Sequence, residues 1–362
     1  GFDCVGSEAV MNRKTTIQIL VAVLVVLASG LYLLNPQTSE APDRLWIPAL
    51  SEPNAELLSI TIEKGESSTE LVNQGGQWQV TNRLGYPAKL GAMIDLVSAL
   101  RSAKVIERKT ANPDHHAELQ LTESGAEDTR ATRIRLELSE DRVVLLGQTA
   151  SQREATFVRS PDDNQVWLVS GKITASANPN DWLSPVLFDI PETGVLSVTI
   201  KHPASRESYT LVREADALNW SLAESPAGLT LKYSSILNQI PSRLAQFKLL
   251  DVAHRPANSV EATSVIEVAL RDGRTVALDL VEEDERYWLT AEVKPVPLAQ
   301  KLAPTVQPDN GEIGNVSSVA SVDLGLSVSE AALEDLRFEI SASNFETLTK
   351  VRSDYFDTQS GD

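Results

Sequence analysis

The chain has 362 residues, 42% of them apolar, a formal net charge of −18 and a single cysteine. Before Asn35 the charges cancel, Arg13 and Lys14 against Asp3 and Glu8, so the whole acidic excess lies beyond it. Such a surface repels nucleic acid, and no nucleic-acid partner is expected. Cys4 precedes Met11, so the rest of the chain cannot form an intrachain disulfide and must be stable through its core alone.

Residues 1–10, GFDCVGSEAV, read as an extension outside the fold, and MNRKTT from Met11 reads as a natural start. Ile17 to Leu34 is an uncharged run of 18 residues, long enough to cross the hydrocarbon core as a helix. Arg13 and Lys14 stand directly before it and the next basic residue is Arg44. Positive charge stays inside, which predicts a cytoplasmic N-terminus and an exported remainder. A cleaved signal peptide is the competing reading, with small residues at Ala28-Ser29-Gly30. The apolar run continues to Leu34, past that cut, and favours a retained anchor over residues 11–35.

Residues 36–55 hold four prolines and read as an extended tether. A first αβ unit is expected over 56–190. Leu57–Glu63 alternates as a strand; Glu70–Val72 and Trp78–Val80 flank the turn Asn73-Gln74-Gly75-Gly76. The spacing of Leu90, Ile94, Val97 and Leu100 predicts a helix over Ala88–Lys104 with those four on its apolar face. Val105-Ile106, Arg133–Leu138, Arg142–Leu146, Thr156–Arg159 and Gln165–Val169 follow as strands, and Asn180–Asp189 closes the unit.

The same order then begins again over 194–357. Leu196–Ile200, LSVTI, matches Leu58–Ile62, LSITI, and Trp220 matches Trp78. A second helix is expected over Lys232–Phe247, with Ile236, Leu237, Ile240 and Leu244 inward and Pro241 kinking it or ending its first half. Ser264–Leu270, Thr275–Leu280, Tyr287–Glu292 and Leu336–Ile340 complete the strands, and Phe356-Asp357 matches Phe188-Asp189. A Pro-, Ser- and Gly-rich insertion at about 294–330 interrupts the last hairpin and reads as a disordered hairpin tip, with a partner-binding loop as the alternative. The expected fold class is α+β: a transmembrane helix, then two tandem copies of an antiparallel-sheet-plus-helix unit.

Little in this sequence points to chemistry. Adjacent histidines on a strand face opposite ways, so His115-His116 reads as a solvated loop rather than a metal site. Glu282-Glu283-Asp284-Glu285 lacks the order of a calcium loop and reads as a hairpin tip. Neither a nucleophile elbow nor a phosphate loop is present. Trp78 and Trp220 could stack on sugars; at matched strand positions they read as core. No catalytic, cofactor-binding or metal-binding residues are expected.

At LSITI, the Gly75-Gly76-Gln77-Trp78 turn, the helix after Tyr86-Pro87 and the Thr156–Arg159/Val166–Val169 hairpin, the chain resembles a bacterial family catalogued as domain of unknown function 4340. The resemblance covers residues 12–357. Where the family usually carries Tyr-Gly-Leu after the first helix, this chain has Asp114-His115-His116-Ala117-Glu118-Leu119. The resemblance implies a single-pass protein of the bacterial inner membrane with its bulk in the periplasm. It also implies an auxiliary role beside ABC transporters of the gliding-motility type, whose permease and ATPase subunits and other auxiliary membrane proteins would be the partners. The expected function is therefore a non-catalytic accessory subunit. An independent envelope binding module for a glycan or peptide, and a hydrolase without a recognised motif, are the alternatives.

Overall fold

The computed structural model of the protein describes residues 44–53, 55–214, 216–258, 260–295 and 321–357. The expected anchor, the first eight residues of the expected tether and most of the expected insertion lie outside them. Among the described residues no helix is long and apolar enough to cross a membrane.

The fold is α+β, built on mostly antiparallel sheets with few helices. The first sheet contains β1 (Ser59–Lys64), β2 (Ser67–Gln74), β3 (Gln77–Val80), β4 (Tyr86–Pro87), β5 (Val105–Arg108), β6 (Thr132–Glu137), β7 (Arg142–Thr149), β8 (Ala155–Arg159) and β9 (Trp167–Ser170). Its order is β4-β3-β2-β1-β6-β7-β8-β9-β5. After a two-stranded link strand, β10 (Val186–Phe188), the second sheet begins with β11 (Val195–His202), β12 (Glu207–Val212) and β13 (Ser221–Leu222). It continues, past β14 (Phe247–Lys248), with β15 (Asp251–His254), β16 (Ser264–Leu270), β17 (Thr275–Glu283), β18 (Arg286–Lys294) and β19 (Leu336–Ile340). Its order is β13-β12-β11-β16-β17-β18-β19-β15. The two orders correspond strand for strand apart from β4.

Period-2 alternation produces these sheets. Ile60 and Ile62, Ile134 and Leu136, Val198 and Ile200, and Ile266 and Val268 are all buried on the core side, while their neighbours face outward. The hairpin tips follow from backbone twist. Gly75-Gly76 and Asp284-Glu285 both have positive φ at the two central positions, as a tight turn between right-twisted strands requires. The acidic run thus sits at a hairpin tip, as its sequence suggested.

Helix α1 (Leu90–Ser102) carries the chain from the β4 edge of the first sheet to its opposite edge at β5, so it must cross one face. It buries Met93, Leu96 and Leu100, with Val97 half-buried; Leu90 and Ile94 face solvent. The apolar face is therefore rotated from the expected one. Two apolar stripes compete on this helix, and the one at i, i+3, i+7 that includes Met93 wins the core. The second helical stretch is also shorter than expected. A 3-10 turn at Ile236–Asn238 leads into α2, only Gln239–Arg243. That start places Pro241 in the first turn, where its missing N–H is not needed. The inward set Ile236, Leu237, Ile240 and Leu244 is buried as expected.

The two sheets share one continuous hydrophobic core. Between them β10 pairs with β14, and Phe188 stacks on Phe247 with centroids 4.7 Å apart. Tyr86 meets Phe338 edge-on across the same seam. Isolated bridges join Leu183 to Ala88 and Phe356 to Leu231.

Two segments read as loose from sequence are packed. Trp46 N–H donates to the Ala103 carbonyl, Val105 N–H donates to the Arg44 carbonyl, and Ile47 and Leu50 are buried, so the domain begins before residue 56. Residues 321–328, the distal part of the expected insertion, lie against β10 and the start of β11: Asp189 N–H donates to Leu324 O and Ser327 N–H to Leu187 O. Helix α3 (Glu330–Asp335) follows, capped by Ser329, and α4 (Ala342–Leu348) comes after β19, capped by Ser341.

Asp272 holds this docked segment. Its carboxylate accepts from Arg274 N and Nε and from Val322 N at 2.8 Å. Burial acts to raise its pKa, but the bonds from the Arg274 side chain, Val322 and the Arg274 backbone outweigh it and hold the pKa below the ordinary aspartate value. A depressed pKa stabilises the fold above the ordinary aspartate range, and that contribution is lost as pH falls through the lowered value. Asp272→Asn should therefore cost ~1–2 kcal/mol at neutral pH. The gap to the parent protein in urea midpoint should close only in strong acid. A gap independent of pH would contradict the assignment.

Candidate functional site

The second sheet presents its outer face at the seam, and here the charged side chains converge. The 3-10 turn Thr81–Arg83 ends in Leu84 and Gly85, both left-handed, which turns the chain sharply and points Arg83 across the seam. Its Nε donates to Asn180 Oδ1 at 2.6 Å and to Asp251 Oδ1 at 2.8 Å. The other Asp251 oxygen accepts from Arg286 at 3.2 Å, and Arg286 also bonds Glu339. Asp251 and Glu339 are direct partners across β15 and β19. Two carboxylates side by side would repel; two guanidiniums neutralise them. The hydrogen bond to Glu339 is the main cause of the raised Arg286 pKa. Chemically this is a satisfied ion network joining the two sheets.

Beside it, Trp288 points away from the core while Leu289 on the same strand points in. Guanidiniums of Arg337 and Arg286 lie over its ring, 4.1 and 4.5 Å from the ring centre. Arg337 also pairs with Glu283 at 2.5 Å. Past Trp288 lies a groove of about 200 Å³, with Val281, Pro256 and Val260 on its walls and Arg255 and Asp279 at its rim. The groove could seat a small apolar group beside a polar one.

Trp220 is 2% exposed, and Trp78 is half-buried against the same core. Leu211 pairs with Leu222 and Leu71 with Val80, which puts the two tryptophans at the same place in their sheets. Trp220 sits deeper because Asn238, from the turn before α2, accepts its backbone N–H and closes over it, with Arg213 above the ring. His115 is exposed beside Glu118, but His116 is buried with Nε2 3.0 Å from Asn164 O. The solvated-loop expectation thus fails for His116: the segment folds over the first sheet's outer face, where Leu121, Ala131, Leu145 and Val166 form a second small core. Buried Arg159 pins that cover through Leu121 O and Glu123. Burial acts to raise the Glu123 pKa, yet hydrogen bonds from Arg133 and Arg159 leave it lowered.

His202 and Tyr209 both reach the Lys350 carbonyl, and Tyr209 meets the Tyr355 hydroxyl at 3.1 Å. Burial raises both tyrosine pKa values, that of Tyr355 to about 12. His254 is exposed elsewhere. Among the described residues no group of three or more His, Cys, Asp or Glu is arranged to hold a metal ion.

Neither the curated proteins nor the solved structures include a match to this chain. A family profile described as Domain of unknown function (DUF4340) matches residues 78–267, slightly more than half of the chain. The match runs from the first tryptophan hairpin to the middle of β16 and so takes in both tryptophans, α1, α2 and the seam strand β15. The chain belongs to the DUF4340 family of unknown function.

Proposed function

We propose that the protein is a non-catalytic accessory subunit of an ABC-type transport complex, anchored in the bacterial inner membrane with its sheets in the periplasm. The observation that carries this reading is the uncharged run Ile17–Leu34 directly behind Arg13-Lys14. An anchored domain meets its membrane partners at high effective concentration, so a modest interface suffices. The seam carboxylates Asp251 and Glu339 support the non-catalytic part, since both are engaged by guanidiniums. The corresponding strand orders, and the matched positions of Trp78 and Trp220, support reading 56–190 and 194–357 as two copies of one unit. The transport partners are the permease and the ATPase, with other auxiliary membrane proteins.

The Trp288 groove favours a second reading, an envelope module binding a peptide or glycan. For the anchor, a reporter fused after Asp362 should be active only in the periplasm, and the protein should resist alkaline extraction from membranes. Cytoplasmic reporter activity, or a mature N-terminus near Leu31, contradicts the topology.

A further inference from the structure

We propose that the outward ridge of α1 lies on the lipid surface beside the anchor, with anionic headgroups as its ligand. This rests on reading Ile17–Leu34 as a membrane anchor. Leu90 is 62% and Ile94 55% exposed, a large apolar exposure for two positions one turn apart on a single helix. Val97, half-buried, and Arg101, exposed, continue the same ridge at the next two turns. The ridge holds no carboxylate: the helix's single acidic residue, Asp95, lies about 100° round the axis from Ile94. On a chain of net charge −18 this apolar ridge with a basic end is locally opposite to the rest, and it is the pattern of a helix lying in a membrane interface.

The position of the anchor's attachment selects the occupant. The chain enters the fold at the end of this helix, where the Arg44 carbonyl accepts from Val105 and Trp46 donates to Ala103. Nine residues separate Leu34 from Arg44, ten Cα–Cα steps with a reach of at most ~33–36 Å. Helix α1 has 13 residues and is about 20 Å long, so its whole ridge stays within reach of the bilayer. Two apolar side chains would bind lipid weakly from solution; a tether this short makes the contact intramolecular.

The test uses the full chain, alone, in proteoliposomes of phosphatidylethanolamine and phosphatidylglycerol. In a Cys4→Ser background, nitroxide labels are placed at Ile94→Cys, at Leu90→Cys, and at Leu218→Cys as the aqueous control, 91% exposed in the second unit. The ratio of accessibility to oxygen over a water-soluble nickel chelate should be several-fold higher at 90 and 94 than at 218. Ratios equal to that at 218, with the protein still resistant to alkaline extraction, overturn the lipid contact while the anchor stands. Labels shielded from both reagents mean a protein contact and also overturn it. Release of the protein by alkaline extraction removes the anchor reading itself, and the inference with it.

Discussion

Replacing Trp220 by alanine is expected to destabilise the protein by ~3–5 kcal/mol, the cost of emptying a large aromatic site in a packed core. The ring is buried and Arg213 lies 5.3 Å above it. Asn238 accepts the Trp220 backbone N–H at 2.9 Å and itself donates to Asn219, bonds that do not depend on the ring and hold the turn leading into α2 in place over the hole. Trp78→Ala should cost roughly half as much, since part of that ring is already in water. Thermal unfolding of the detergent-solubilised protein measures both. Two equal small effects would mean that the tryptophans do not hold their sheets together and would reopen a role for them in ligand contact.

The second large effect is expected at Asp251. Removing its side chain leaves Arg83 without a carboxylate, still bonded to Asn180, and leaves Arg286 with Glu339 as its only carboxylate. Asp251 is largely buried, whereas the two arginines keep access to water, so the full penalty for a buried unpaired charge does not apply. Asp251→Ala should cost about 2 kcal/mol. Combined with Arg83→Ala, the two losses should be clearly less than additive, because each removes the same bond across the seam. Strict additivity would show that the seam is held by Tyr86, Phe338 and the Phe188–Phe247 stack without help from this network.

What could be read from the sequence follows the range of the interactions. Strands such as Leu58–Ile62, Ser264–Leu270 and Leu336–Ile340 were legible because alternation with period 2 is a local signal that burial on one face enforces. The α1 face was not, because Leu90–Ile94–Val97 and Met93–Leu96–Leu100 are both acceptable stripes and only tertiary packing chooses between them. The extent of α2 was set by Pro241, whose place near a helix start rather than inside a helix depends on what precedes it. Nothing local announces the seam: Arg83 and Asp251 are 168 positions apart, and His116 meets the Asn164 carbonyl across 48. Trp288 was inside an expected strand, with Arg286 two positions before it on the same strand, but its second covering arginine, Arg337, arrives only when β18 and β19 pair.

The proposed accessory role is tested most directly by purifying the full chain, Ile17–Leu34 included, from membranes of its own cell in mild detergent and identifying what comes with it. An ATPase and a permease recovered with it in fixed ratio, and lost when Ile17–Leu34 is replaced by a cleavable signal peptide, is the predicted result. A protein that purifies folded and without any transport subunit would contradict the proposed role.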